Sequence, residues 1–119
     1  MADSLNNTLQ KPAANQTWFV GRHQGSIDWI KEQSVHINHF CSHIDDSNMP
    51  KAGDTVIGTL PVHVIARINR IGVRFIHLEL DLNQQTRGIE LKSIIIEQSN
   101  AKLQEYMVWR IDHQGEFHV

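Results

Sequence analysis

Arg22 and His23 are the two adjacent residues best suited to carry chemistry. They stand in the turn Gly21-Arg22-His23-Gln24-Gly25-Ser26, between an apolar run and a helical pattern. A guanidinium presents a planar fork of donors that matches two phosphate oxygens. An imidazole titrates near neutrality and can move protons. Gly21, Gly25 and Ser26 add room for close backbone approach and a hydroxyl. The competing explanation is a solvated loop that is polar because loops are. The turn lacks the Gly-Lys-Ser/Thr ending of a phosphate loop, so nucleotide hydrolysis by that route is not supported.

A second turn repeats the logic in Gly53-Asp54-Thr55-Val56-Ile57-Gly58-Thr59-Leu60-Pro61. The β-branched run Thr55-Val56-Ile57 suits a short buried strand. Gly58 permits a tight turn or approach to a ligand, Thr59 suits a helix cap, and Pro61 suits a first helical turn. A strand that feeds a helix in this way leaves backbone N–H groups free at the helix start, which attracts anions. Gly58, Thr59, Leu60 and, one step into the helix, His63 are therefore candidate ligand-binding residues. A helix cap with a packing glycine is the plainer reading of the same residues.

Other constellations are weaker. His36, His39, Cys41 and His43 suggest a metal cluster, but their spacing matches no strong zinc pattern. Neither a metal nor a cofactor is expected. His77, Glu79 and Asp81 alternate along one strand face; only Asp81, at the strand end, is placed for a ligand, with Arg87 nearby. No Ser-His-Asp order with a nucleophile elbow is visible. Trp18, Trp29 and Trp109 read as packing residues.

These groups need elements to position them. Strands are expected at 17–21, 34–40, 54–58 and 73–82, and helices at 26–33, 61–71 and 93–106. In the 73–82 strand, Ile76, Leu78, Leu80 and Leu82 share one face. Met107 to Ile111 and Glu116 to Val119 can pair as a hairpin extension, 107–119, around His113-Gln114-Gly115. Residues 1–16 are rich in Asn, Gln, Ala and Ser, without aromatics, and read as a disordered tail. Residues 17–119 then form a single domain. Alternating strands and helices predict a three-layer α/β domain with a mainly parallel sheet, whose ligands bind beyond the carboxyl ends of the strands.

Composition narrows the partners. The 119 residues suffice for one small core, with a formal charge of −2. That charge argues against long DNA as a partner. No run is long enough to cross a membrane, no signal-peptide core is evident, and a single cysteine, Cys41, suits a reducing cytoplasm. A cytoplasmic protein is expected.

Three segments carry a resemblance. Trp18-Phe19-Val20-Gly21-Arg22-His23-Gln24-Gly25-Ser26, Gly53 to Pro61 and His77-Leu78-Glu79-Leu80-Asp81-Leu82 resemble the Csx-sixteen family of small CRISPR-associated proteins. That family typically reads Trp-Phe-Val-Ser-Arg-His-Pro-Gly-Ala in the first segment. Arg22, His23 and Gly25 match it, whereas Gly21, Gln24 and Ser26 depart from it. The Gly53–Pro61 match is long, and Arg87-Gly88 also fits. The resemblance covers roughly residues 17 to 106. It implies a Rossmann-like, CARF-like domain working beside type III CRISPR systems, whose alarm signals are cyclic oligoadenylates. It implies a ring nuclease that cleaves the messenger, most readily cyclic tetra-adenylate, without a metal. Arg22 and His23 would be catalytic, and a homodimer would match the symmetric ligand. A non-catalytic binder of the same messenger is the alternative, and a metal-dependent nuclease using Asp81 and the histidines is a third.

Overall fold

A computed structural model describes residues 15–80 and 100–112. Five strands form one sheet: β1 (Thr17–Val20), β2 (His39–Cys41), β3 (Thr55–Gly58), β4 (Arg74–Glu79) and β5 (Lys102–Tyr106). Two helices, α1 (Gln24–Lys31) and α2 (Val62–Arg70), follow β1 and β3. The spatial order is β2-β1-β3-β4-β5. The first four strands run parallel, and β5 runs antiparallel to β4.

Alternation along the strands separates two cores. Trp18 and Val20 of β1, Val56 of β3 and Phe75 of β4 share one face, where they pack with Ile65 and Ile68 of α2 and with Ile44 and Val73. Phe19, Ile57 and Leu78 face the other way and pack with Trp29 and Ile30 of α1. A helix therefore covers each face of a mainly parallel sheet, in three layers. The register aligns Val20 with Gly58 and Gly58 with His77, so the carboxyl ends of β1, β3 and β4 lie side by side.

The chain leaves β1 for β2 on one side and returns to build β3 on the other. The boundary between β1 and β3 is thus a topological switch point. Open α/β sheets leave a crevice there, because the connections on either side depart to opposite faces.

The amino edge of the sheet is fastened by Asp54. This buried carboxylate accepts from Gln16 N at 2.9 Å, Lys51 N at 3.0 Å and the Trp18 indole Nε1 at 3.1 Å. Burial pushes its pKa up, but those donors outweigh burial and hold the carboxyl below its usual range. Gln16, read above as tail, is thereby tied to the sheet; its carbonyl also accepts from Thr55 N.

Several expectations need correction. Residues Lys102–Tyr106 were expected to end a helix and instead form β5, because pairing with β4 satisfies their backbone and Leu103 packs on the α1-side core. The expected strand at 34–40 reduces to β2, while Asn38 bonds Thr17 through both its side chain and its N–H. The start of α2 is capped at Pro61, not Thr59, and Gly72 ends it with φ +94°. Residues 107–112 form no strand, and Trp109 is exposed instead of packed. The remainder of the expected tail, residues 93–99 of the expected helix and the second half of the hairpin lie outside the described residues. No helix among the described residues is long and apolar enough to cross a membrane.

Candidate functional site

The turn after β1 begins as an extension of the sheet. Gly21 N donates to Cys41 O at 3.0 Å, so β1 and β2 remain joined one residue past β1. Arg22 and His23 then project as exposed residues. His23 is the N-cap of α1, in an extended conformation (φ −90°, ψ 127°), and its side chain makes no cap hydrogen bond. Its carbonyl accepts from Ser26 N at 3.1 Å and Ile27 N at 3.3 Å. The N–H groups of Gln24 and Gly25 precede those bonds and have no partner within the helix.

The turn after β3 is shaped from within. Gly58 has φ +141°, and a β-carbon there would stand 2.0 Å from Val20 O. Thr59 N points at the same carbonyl at 3.4 Å. The close backbone approach expected of Gly58 is therefore made to β1, and the Thr59 amide is turned toward Val20. What Thr59 keeps for a ligand is its exposed hydroxyl.

Both turns border one pocket of about 350 Å³, part of it open to solvent. Gly21, Arg22, His23 and Ser26 line one side, and Gly58 and Thr59 the other. Phe19, Val20, Leu78 and Leu80 supply the apolar lining. The pocket lies at the carboxyl ends of β1 and β3, on the switch point. An apolar floor beneath a cation, an imidazole and hydroxyls can seat a flat ring against carbon and a phosphate against the rim.

Other expected residues fall elsewhere. Gly25 is buried in the first turn of α1. Leu60 packs against the α2-side core, and His63 is exposed on the first turn of α2. Neither lines the pocket. Asp81 and Arg87 lie outside the described residues. Glu79 is engaged by the Tyr106 hydroxyl and by Lys102 Nζ at 3.7 Å, while the His77 ring lies 5.9 Å from those of Phe75 and Tyr106. That strand face is a contact between β4 and β5.

The histidines near β2 have separate partners. The His39 ring lies 4.3 Å from Trp18 and bonds Gln16. His36 meets Asn38. His43 lies between Ser42 Oγ, 3.0 Å from Nδ1, and Asp45 Oδ2, 3.1 Å from Nε2. Among the described residues no three His, Cys, Asp or Glu side chains come together as metal ligands do. Burial raises the pKa of the Cys41 thiol, with Asp45 adding to the rise and Asn48 and His43 opposing it.

Sequence reasoning did not find the Ser42-His43-Asp45 contacts or the apolar floor. The first are visible only as closely spaced polar residues after a strand. The floor depends on strand register, which local spacing does not determine.

The model of a family described as "Putative CRISPR-associated protein (Cas_VVA1548)" matches residues 18–109, from β1 to just past β5. No curated protein and no solved structure matches the chain.

Proposed function

The chain belongs to this CRISPR-associated family, and on that premise we propose that it is a ring nuclease for cyclic oligoadenylates. The observation that carries the reading is the convergence of Arg22, His23, Ser26 and Thr59 on one pocket at the switch point. The Rossmann-like, CARF-like reading of the sheet belongs to the same proposal. Cyclic tetra-adenylate is the preferred ligand. Its four nucleotides exceed what the pocket of one copy can hold, so two copies meet across a two-fold axis, each contributing one pocket.

The chemistry needs no metal. The ribose 2′-oxygen attacks the adjacent phosphorus, the bond from phosphorus to the 5′-oxygen breaks, and a 2′,3′-cyclic phosphate forms. Holding the hydroxyl in line with the leaving oxygen supplies several kcal/mol, with an upper range of roughly 7–11. Arg22 stabilises charge on the phosphorane, and the Ser26 and Thr59 hydroxyls help hold the phosphate. His23 transfers a proton, worth about 10²–10⁴-fold.

Incubation with cyclic tri-, tetra- and hexa-adenylate in EDTA, followed by separation of products, tests this. Linear fragments ending in a 2′,3′-cyclic phosphate are expected from the tetramer. An intact ring after prolonged incubation refutes cleavage. The second reading, a binder that buffers the messenger without cutting it, is favoured by one observation: among the described residues the His23 side chain has no hydrogen-bonding partner to orient it. Tight binding without cleavage would decide for it.

A further inference from the structure

The polar side chains that line the pocket are not equivalent. Arg22, His23 and Thr59 are exposed at its rim, whereas Ser26, in the first turn of α1, is only 7% exposed. The Ser26 backbone is pinned, because its N–H donates to His23 O at 3.1 Å. Its hydroxyl has no hydrogen-bonding partner among the described residues. No side-chain oxygen of those residues is both sealed from solvent and unpartnered. The Ser26 Oγ therefore keeps one open side, and the pocket that Ser26 lines is where it opens.

A buried hydroxyl of this kind is a donor with little freedom left to lose. Arginine gives up far more rotamer entropy when it is held in one geometry. Arg22 thus supplies charge, and Ser26 supplies direction. The second hydroxyl, Thr59, lines the opposite side of the pocket and is exposed. A phosphodiester between the two sides has two non-bridging oxygens, which the direction of the nucleotide chain makes distinct. One of them meets the fixed Ser26 hydroxyl, and the other meets the exposed rim. A phosphate held at the rim alone can turn about its own axis and lose the alignment that in-line attack needs.

We propose that Ser26 is a specificity-determining residue of this site, which donates to one non-bridging oxygen of the scissile phosphate and fixes which of the two lies inward. This rests on the cleavage reading above. The hydroxyl gives a hydrogen bond to an anionic oxygen and transfers no proton. The bonds made and broken remain those of the cleavage step. The site is then stereoselective at phosphorus, and the selectivity comes from one buried side chain, not from the charged rim.

Single-turnover cleavage of cyclic tetra-adenylate, and of its analogues with every linkage an Rp or an Sp phosphorothioate, tests the assignment. Sulfur accepts a hydrogen bond poorly, so wild type should cleave the isomer that turns sulfur inward about tenfold more slowly than the other. Ser26→Ala should slow cleavage of the all-oxygen ring by about tenfold and bring the two sulfur isomers to similar rates. Alanine suits a helix, so this variant should fold. Ser26→Cys, close in size and a weak donor, should behave in the same way. If wild type cleaves the all-oxygen ring but treats the two sulfur isomers alike, cut or uncut, the assignment is overturned. It is equally overturned if both variants keep the wild-type preference. Either result leaves the cleavage reading standing. If wild type leaves the all-oxygen ring intact, the cleavage reading falls, and the assignment with it.

Discussion

Gly58 and Val20 are locked together: a β-carbon on Gly58 would stand 2.0 Å from the Val20 carbonyl oxygen. The positive φ of Gly58 adds strain for any other residue. Gly58→Val should therefore destabilise the fold by about 3 kcal/mol or more. Thermal unfolding by circular dichroism reads this directly. A variant that melts with wild type would show that the two strand ends can separate freely. The same relationship makes Gly58 a poor probe of ligand binding, because affinity would be lost together with the fold.

Arg22 and His23 permit a cleaner test, since both are exposed and neither has a partner within the turn that folding requires. Arg22→Ala should weaken binding of cyclic tetra-adenylate and slow its turnover together. His23→Ala should mainly slow single-turnover cleavage, with a smaller effect on affinity. Calorimetry and rapid-quench kinetics separate the two effects. Wild-type behaviour in both variants would mean a solvated loop and would remove the basis of the cleavage reading.

Asp54 predicts how the fold responds to acid. Its pKa is held below the unfolded value of about 3.9. The unfolded chain therefore takes up this proton first as pH falls, which favours unfolding. The stabilisation is complete well above pH 4 and fades as pH drops through the unfolded value toward the folded one. Asp54→Asn should lose that dependence. It should also cost about 1–3 kcal/mol at neutral pH, because one of the three donors around the side chain would face an amide NH₂. Denaturant melts at neutral pH and near pH 4 check both statements; an unchanged midpoint at neutral pH would contradict them.

The proposed cleavage of a four-nucleotide ring predicts a dimer, because such a ring exceeds one pocket. Light scattering should give twice the chain mass, at least when cyclic tetra-adenylate is present. A monomer in both states at micromolar concentration would exclude a ligand shared across a two-fold axis.

The parts of the fold that local pattern reveals are those whose period is unambiguous. Trp18-Phe19-Val20 and Thr55-Val56-Ile57 are apolar on both faces because a helix covers each side, and the 3.6 period of Ile65 and Ile68 marks α2. Lys102–Tyr106 was misread because an edge strand with one inward residue, Leu103, has little period to detect. The pocket rim was legible, since a cation and a histidine between two glycines are conspicuous. Its floor was not, because Leu78 reaches the pocket through the pairing of β3 with β4. His43 stands beside Cys41 and His39 as a metal-like run; the histidines settle on different partners because His43 finds a carboxylate in its own loop, whereas His39 finds an indole on β1 and the amide of Gln16 just before it.

The Asp54 latch has a mechanical consequence. It ties β1 to the start of β3 at the amino edge, while Gly58 presses against Val20 at the carboxyl end. Two four-residue strands held at both ends behave as one stiff plate. A ligand at the switch point cannot slide them past each other, so movement on binding must come from the Arg22–His23 turn and the Thr59 side chain across from it. Amide exchange should then be slowest at Val56 and Phe19, with and without ligand, and ligand-dependent protection should be greatest in the Arg22–His23 turn.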